Sequence, residues 1–330
     1  MQAIWQESLQ LSKGDELAFN QVALAVFHYQ FENLPVYKAF ANFARFDINQ
    51  VKHFTQIPFL PISFFKSHVL CTAPDKINNE TLHFESSGTT GMESSRHFVL
   101  NPAIYKESYL KTFQDFYGDP RQYIFACLLP SYLERGHSSL VYMCQGLIEA
   151  SSNEKSGFYL YDFEALAQLL QSDVQDKKIF LIGVTYALID FATAYPMTLK
   201  NTIVMETGGM KGRKEEWTKD QIHDFLKQKW QLCEVHSEYG MTELLSQAYA
   251  RNAGIFETPP YLKVLVRNIQ DPKQVQTKGH GLANIIDLSN VYSCSFIATD
   301  DLVEVLEDGR FRVLGRNDHA VLRGCSLMVV

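Results

Sequence analysis

Glu85-Ser86-Ser87-Gly88-Thr89-Thr90-Gly91 carries no aliphatic side chain and follows directly on Leu82-His83-Phe84. Glycine permits positive φ, successive backbone N–H groups can converge on an anion, and Ser and Thr hydroxyls add donors. Ser87, Gly88, Thr89, Thr90 and Gly91 are therefore candidates for an anion cradle. The same residue types also fill ordinary surface loops, and taken alone the stretch fits either description. It is not a Walker loop, because Met92-Glu93 stands where Lys-Ser/Thr would be required.

Four further stretches carry polar chemistry at the ends of apolar runs. Leu128-Leu129-Pro130-Ser131-Tyr132 leads into Arg135-Gly136-His137-Ser138-Ser139, and Thr207-Gly208-Gly209 follows Met205-Glu206. Ser237-Glu238-Tyr239-Gly240-Met241-Thr242-Glu243 follows Val235-His236, and Ala298-Thr299-Asp300-Asp301-Leu302 precedes Gly315-Arg316-Asn317-Asp318. Each has an ordinary structural alternative. The glycine pair is equally a tight bend, Thr242 a helix N-cap, Asp300-Asp301 a solvated edge turn, and His137 a hydrogen-bonded structural residue. Ligands of open α/β sheets bind outside the carboxyl ends of the strands, so motifs at such ends can meet in one crevice.

The elements that must position them follow from periodicity. Asp15 caps a helix carrying Leu17, Val22, Leu24, Val26 and Phe27, and a second helix starts at Asn33-Leu34-Pro35 with Tyr37, Phe40 and Phe43 on one face. Ile57–Lys66, rich in Pro and aromatics, reads as an extended loop packed near the Gly88 turn. From Gln122 the pattern alternates: strands at Tyr123–Leu129, Phe158–Tyr161, Lys178–Ile182, Thr202–Met205 and Leu232–His236. Between them fall helices at Ser138–Glu149, Glu164–Leu170, Ala187–Ala194 and Lys214–Trp230. Such alternation predicts βαβ units and a largely parallel sheet. Beyond Gly254, strands at Tyr261–Val266, Gly281–Leu288, Tyr292–Ala298, Leu302–Leu306 and Phe311–Leu314 predict a mostly antiparallel part. The polar stretch Gln270–Gly281 reads as a mobile loop.

Composition narrows the classes. The 330 residues are 46% hydrophobic and 20% charged, with a net charge of −7, an ordinary globular balance that disfavours nucleic acid or an anionic membrane as partner. No basic-plus-apolar leader opens the sequence and no apolar run is long enough to span a bilayer. The 6 cysteines, Cys71, Cys127, Cys144, Cys233, Cys294 and Cys325, form no C-x-x-C pair. They indicate neither a zinc knuckle nor a disulfide framework, and the expected location is a reducing cytoplasm.

In order and content these motifs resemble the adenylate-forming superfamily of acyl-CoA synthetases, luciferase-like enzymes and non-ribosomal adenylation domains, over roughly residue 84 to the end of the sequence. The resemblance implies an α/β fold, the large N-terminal domain of an adenylate-forming enzyme with a mostly antiparallel β subdomain. That domain would cover 1–314, helical over 1–80, α/β over 81–254 and β-rich over 255–314, with a hinge remnant and tail at 315–330. It further implies ATP and Mg²⁺. Ser87-Gly88-Thr89-Thr90-Gly91 matches the phosphate loop, and Thr207-Gly208-Gly209 resembles the turn against adenine. In Tyr239-Gly240-Met241-Thr242-Glu243, Tyr239 would stack on adenine, Thr242 contact the α-phosphate and Glu243 hold Mg²⁺. Asp301 would take the ribose hydroxyls, Arg316 the ribose and phosphate, and the Tyr132–His137 segment corresponds to the wall of an acyl pocket.

Three departures accompany the match. The phosphate loop continues as Met92-Glu93-Ser94-Ser95-Arg96-His97 where the family has Pro-Lys, and the hinge continues as Val321-Leu322-Arg323-Gly324-Cys325. The sequence ends at Val330 with no lysine after Lys278, so the expectation is a truncated swinging C-terminal domain without its adenylation lysine. This short form resembles the acyl-protein synthetase (LuxE-like) family, which moves an activated fatty acyl group onto a cysteine near the C-terminus. Cys325 is the corresponding residue, with Arg323 favouring its thiolate; a small apolar residue in a terminal strand is the alternative. The expected substrate is a fatty or aromatic carboxylic acid, and the acyl acceptor Cys325, an acyl-carrier or a reductase partner. A ligase acting with a separate C-terminal domain, and a non-catalytic acyl- or adenylate-binding subunit, are the two rival readings.

Overall fold

Asp15 opens the first long helix by accepting the Ala18 N–H at 3.0 Å, which satisfies one of the orphan donors of the first turn. In the computed structural model, which describes residues 1–86, 94–130, 136–174, 176–208 and 217–317, that helix is α2 (Glu16–Asn33). It lies between α1 (Gln2–Leu9) and α3 (Pro35–Phe43). Helix α2 buries Phe19, Val22, Ala23, Val26, Phe27 and Gln30. In α3 the buried residues are Tyr37 and Ala41, and Phe43 is 88% exposed. At about 100° per residue, Ala41 falls back on the Tyr37 face and Phe43 swings well off it, so Phe43 leaves the face expected for it. The segment expected as an extended loop contains strand β1 (Leu60–Pro61) and the short helix α4 (Phe64–Ser67).

The chain divides into two compact units, Met1–Thr81 with the chain from Pro260 onward, and Leu82–Pro259. The second unit begins with the hairpin β2 (Leu82–Glu85) and β3 (Arg96–Val99), followed by α5 (Pro102–Tyr117), β4 (Tyr123–Leu128), α6 (Ser139–Ser151) and β5 (Gly157–Phe158). It continues with α7 (Phe163–Gln171), β6 (Lys178–Val184), α8 (Thr185–Ala194), β7 (Thr202–Thr207), α9 (Lys219–Trp230), β8 (His236–Tyr239), β9 (Ala248–Ala250) and β10 (Phe256–Glu257). Strands run in the order β10-β9-β8-β7-β6-β4-β5. From β8 to β5 every pairing is parallel, as the βαβ alternation predicts, and the chain direction through the sheet reverses between β4 and β6. β4 and β6 are buried along almost their whole length, which is why they read as unbroken apolar runs. Phe113, Phe125 and Phe180 pack edge to face or tilted against one another in that core.

Several boundaries differ from the sequence expectation; the strand expected at Phe158–Tyr161 is Gly157–Phe158, and α8 starts at Thr185 where Ala187 was expected. Helix α9 starts at Lys219, five residues later than expected, because Thr218 and Gln221 form a capping box that fixes the first turn. The last parallel strand is His236–Tyr239, not Leu232–His236. Its polar residues find partners inside the sheet, so hydropathy does not mark them as strand.

The first unit's sheet consists of β11 (Leu262–Arg267), β12 (Val275–Gln276), β13 (Gly279–Asp287), β14 (Phe296–Val305) and β15 (Phe311–Arg316), in the order β12-β11-β13-β14-β15. All these pairings are antiparallel, as expected, and β1 adds to β14 in parallel. The two strands expected at 292–298 and 302–306 are one strand, β14, which places Asp300 and Asp301 mid-strand and excludes the edge-turn alternative. The stretch expected as a loop over 270–281 contains β12 and the start of β13. Within the same unit Gln30 of α2 ties the helix to this sheet, donating to Asn290 O at 2.9 Å and accepting from Ser295 N at 2.9 Å. Among the described residues no helix is long and apolar enough to cross a membrane.

Gly281 sits where a Cβ would lie 2.5 Å from the Arg267 carbonyl oxygen, a backbone atom that cannot rotate aside. Gly281→Ala is expected to destabilise the protein by roughly 1–3 kcal/mol, measured by urea unfolding. An unchanged midpoint would show that β11 and β13 have room for a methyl group there.

Candidate functional site

The two strands that flank the Ser/Thr/Gly loop anchor its base. Ser86 N donates to Ser95 O at 3.0 Å and Ser95 N to Ser86 Oγ at 2.9 Å, while Ser95 Oγ donates to Glu243 Oε1 at 2.5 Å. His97, on β3, meets the Thr242 carbonyl oxygen through Nδ1 at 2.8 Å. A carbonyl only accepts, so Nδ1 carries the proton. Burial pulls the His97 imidazole down to about 4, against the raising effect of that carbonyl, so the ring is neutral. On the other flank Glu85 N donates to His137 O at 2.8 Å, and the exposed His137 ring stacks on His83 with centroids 4.1 Å apart. His137, Thr242 and Glu243 are thus tied to the base of one loop. Ser87, Gly88, Thr89, Thr90 and Gly91 themselves lie outside the described residues, as do Tyr132, Gly209, Arg323 and Cys325.

Tyr239 ends β8, and its ring lies 5.8 Å from Phe256. Residues 240–247 form turns with no helix among them, so Thr242 is not a helix N-cap. Gly240 is held close: a Cβ there would lie 2.3 Å from Glu238 Oε1. Gly208 leaves β7 with φ +75°, a conformation that favours glycine. Met143 and Leu147 of α6 are buried in the core of this unit.

Behind these residues stand two buried carboxylates that the motifs alone do not single out. Strands β7 and β8 pair in register, Glu206 with Ser237 and Thr207 with Glu238. Successive residues of a strand face opposite sides, so the two carboxylates lie on opposite faces of the sheet. Glu206, 2% exposed, accepts from Lys219 Nζ at 2.7 Å, Ser237 Oγ at 2.6 Å and Thr185 Oγ1 at 3.1 Å, with His223 Nε2 at 3.4 Å. Burial opposes its charge, but Lys219, His223 and Ser237 outweigh it and hold the carboxyl near 2. Glu238 has one partner among these groups, the Thr207 hydroxyl, and burial pushes its carboxyl up to about 7, aided by the Glu206 charge. The available sequence signal was a glutamate next to the last residue of the apolar strand β7; the polar β8 offered none.

In the first unit, Asp301 and Arg316 are register partners on β14 and β15, with Arg316 Nε 3.9 Å from Asp301 Oδ1. Thr299 Oγ1 bonds the Ala283 carbonyl at 3.0 Å and lies 3.3 Å from Asp301 N, which orients this corner. In the second unit an open crevice lined by Pro196, Met197, Thr198, Gln228, Lys229 and Gln231 lies where the chain enters β7 and β8, at the opposite end of those strands from Gly208 and Tyr239.

Because the Glu238 carboxyl is raised from 4.5 to about 7, it favours the native state below pH 4.5 and that advantage is lost as pH climbs through 7. Glu206, lowered to about 2, contributes fully above pH 4.5 and loses its contribution only as pH falls toward 2. Urea unfolding is expected to show stability falling by roughly 2–3 kcal/mol between about pH 5 and 8. Glu238→Gln should flatten that slope; an identical slope in the variant would assign it to another group.

No protein-family model matches the sequence, and no curated protein matches it. Solved structures do. An ATP-bound chimera of RpMatB and BxBclM is similar with a TM-score of 0.55 at 16% identity, over 73% of this chain and 49% of that one. ATP-bound MatB from Rhodopseudomonas palustris gives 0.55 at 17% identity over 71% and 47%. The amide bond synthetase McbA from Marinactinospora thermotolerans gives 0.50 at 15% identity over 70% and 48%. This chain therefore spans about half the length of the structures it matches, and at such identities the likeness is one of fold. The chain has the layered α/β fold of the large N-terminal domain of adenylate-forming enzymes.

Proposed function

We propose that this chain activates a carboxylic acid, fatty or aromatic, with ATP and transfers the acyl group to Cys325 or to a partner carrier. The observation that carries the reading is the Ser95–Glu243 hydrogen bond at 2.5 Å, which joins the base of the Ser/Thr/Gly loop to the Tyr239–Glu243 motif. A fold shared with two ATP-bound structures supports it.

A carboxylate oxygen must attack the α-phosphorus while the bond to pyrophosphate breaks, and anion–anion repulsion is the obstacle. Donors of residues 87–91 and the Thr242 hydroxyl are assigned to the phosphates, where preorganised dipoles stabilise developing charge. Tyr239 and the Gly208 turn are assigned to adenine, and Asp301 and Arg316 to the ribose side. Mg²⁺ takes one or two protein carboxylates and otherwise phosphate oxygens and water. Glu243, a buried carboxylate braced by Ser95, fits that modest requirement. When bound, the ion would neutralise charge on the departing pyrophosphate. His137 and Tyr132 are assigned to the acid's side of the site. In the second half-reaction the Cys325 thiolate, favoured by Arg323, would attack the acyl carbon and release AMP. Residues 315–330 then act as hinge and acyl-carrying tail, and a reductase or acyl-carrier protein is the candidate partner.

Incubation with ATP, Mg²⁺ and a panel of acids, followed by intact-mass measurement, is expected to give an acyl adduct that Cys325→Ser abolishes. Pyrophosphate release without an adduct would move the acceptor to a carrier or coenzyme A, and no release with any acid would end the reading. Glu243→Gln is expected to lower turnover by about 10²–10³-fold with an unchanged circular-dichroism spectrum; retained turnover would remove Glu243 from the metal role.

A further inference from the structure

Thr185 has one hydroxyl proton and two acceptors in reach, Glu206 Oε2 at 3.1 Å and Gly208 O at 3.3 Å. It is the first residue of α8, immediately after β6, and is 1% exposed. Glu206 gathers the other side of the network at Oε1, taking Lys219 from the first position of α9 and Ser237 from β8. A single buried carboxylate therefore joins the starts of two helices to two neighbouring strands. β7 ends one residue before Gly208, β8 ends at Tyr239, and α8 reaches the Gly208 carbonyl through Thr185. Lys219 also lies 4.8 Å over the Phe256 ring, the ring beside Tyr239.

We propose that Glu206, with Lys219 and Thr185, is a positioning device that orients the Gly208 carbonyl and holds β8 so that the adenine-facing turn and Tyr239 are set before nucleotide arrives. The proposal deepens the adenylation reading and rests on it for the identity of the ligand. The physical logic is one hydroxyl proton shared between two acceptors. While Glu206 is charged, it draws the Thr185 hydroxyl and keeps that side chain over the Gly208 carbonyl. Without Lys219 the buried carboxylate has lost its counter-charge and takes a proton or shifts. Without the Thr185 hydroxyl, the Gly208 carbonyl loses a buried donor.

The test compares Thr185→Val, Thr185→Ser, Lys219→Met and Lys219→Arg with the wild type, using the whole chain. Calorimetric titration with Mg·ATP reads affinity, steady-state turnover separates KM from kcat, and amide hydrogen exchange reads peptides containing Gly208 and Ser237. Thr185→Val is expected to weaken ATP binding and raise its KM by about five- to tenfold, the worth of one hydrogen bond, with kcat nearly unchanged. Thr185→Ser should restore both. Lys219→Met should weaken ATP binding at least as much, and Lys219→Arg should recover part of the loss. Exchange at the Gly208 peptide should be faster in both disruptive variants. ATP affinity within about twofold of wild type in Thr185→Val, below one hydrogen bond's worth, would overturn the proposal, as would a loss that Thr185→Ser fails to restore. If the wild type binds no ATP, the adenylation reading falls; unchanged exchange at the Gly208 peptide would then sink the positioning role on its own.

Discussion

A charged carboxylate in an apolar core costs several kcal/mol unless other groups replace its water. Glu206 meets that requirement with Lys219, Ser237, Thr185 and His223. The partners come from α8, α9 and β8, so satisfying one buried charge fixes how four elements end beside each other. Lys219 is the first residue of α9, and its ion pair reaches back to Glu206, the penultimate residue of β7. The geometry at the carboxyl ends of the parallel strands follows from this constraint. Gly208 emerges at a defined direction on one strand, and Tyr239 ends the next.

The other face of the same strand pair shows the opposite solution. Among the described residues Glu238 bonds the Thr207 hydroxyl and forms no ion pair, and burial raises its carboxyl to about 7 against the lowering effect of Thr207 and the more distant Lys219. Two carboxylates at adjacent register positions thus shift in opposite directions, one lowered by a lysine and one raised by burial. Near pH 7 the Glu238 carboxyl is only partly ionised, so the pair carries less than its full negative charge. That suits a site for anions better than two ionised carboxylates at the same strand ends would.

The remaining chemistry is organised by hairpins. β2 and β3 present the Ser/Thr/Gly loop and bond through Ser95 and His97 to residues 242 and 243, contacts spanning well over a hundred residues of sequence. In the first unit, antiparallel pairing places Asp301 opposite Arg316. Pairing register sets the second cluster, whereas the first is set by side chains of Ser95 and β3 reaching a turn.

The alternation of apolar runs and amphipathic segments was enough to give the parallel α/β core and the antiparallel strands after 254, because each element's burial pattern is imposed locally by period. Residue types and order also nominated Gly208, Tyr239, Thr242, Glu243, Asp301 and Arg316 as site candidates. What sequence could not carry was any property that depends on a partner distant in the chain. Strand β8 was displaced because Ser237 and Glu238 look polar until Glu206 and Thr207 are set beside them. Asp300 and Asp301 looked like a turn until β13 and β15 bracketed them. Glu206 and Glu238 differ in no way as letters; one carboxyl is lowered and the other raised because Lys219 pairs directly with Glu206 while burial dominates at Glu238. Tertiary structure decided those states, since the energy of a buried charge is set by what surrounds it.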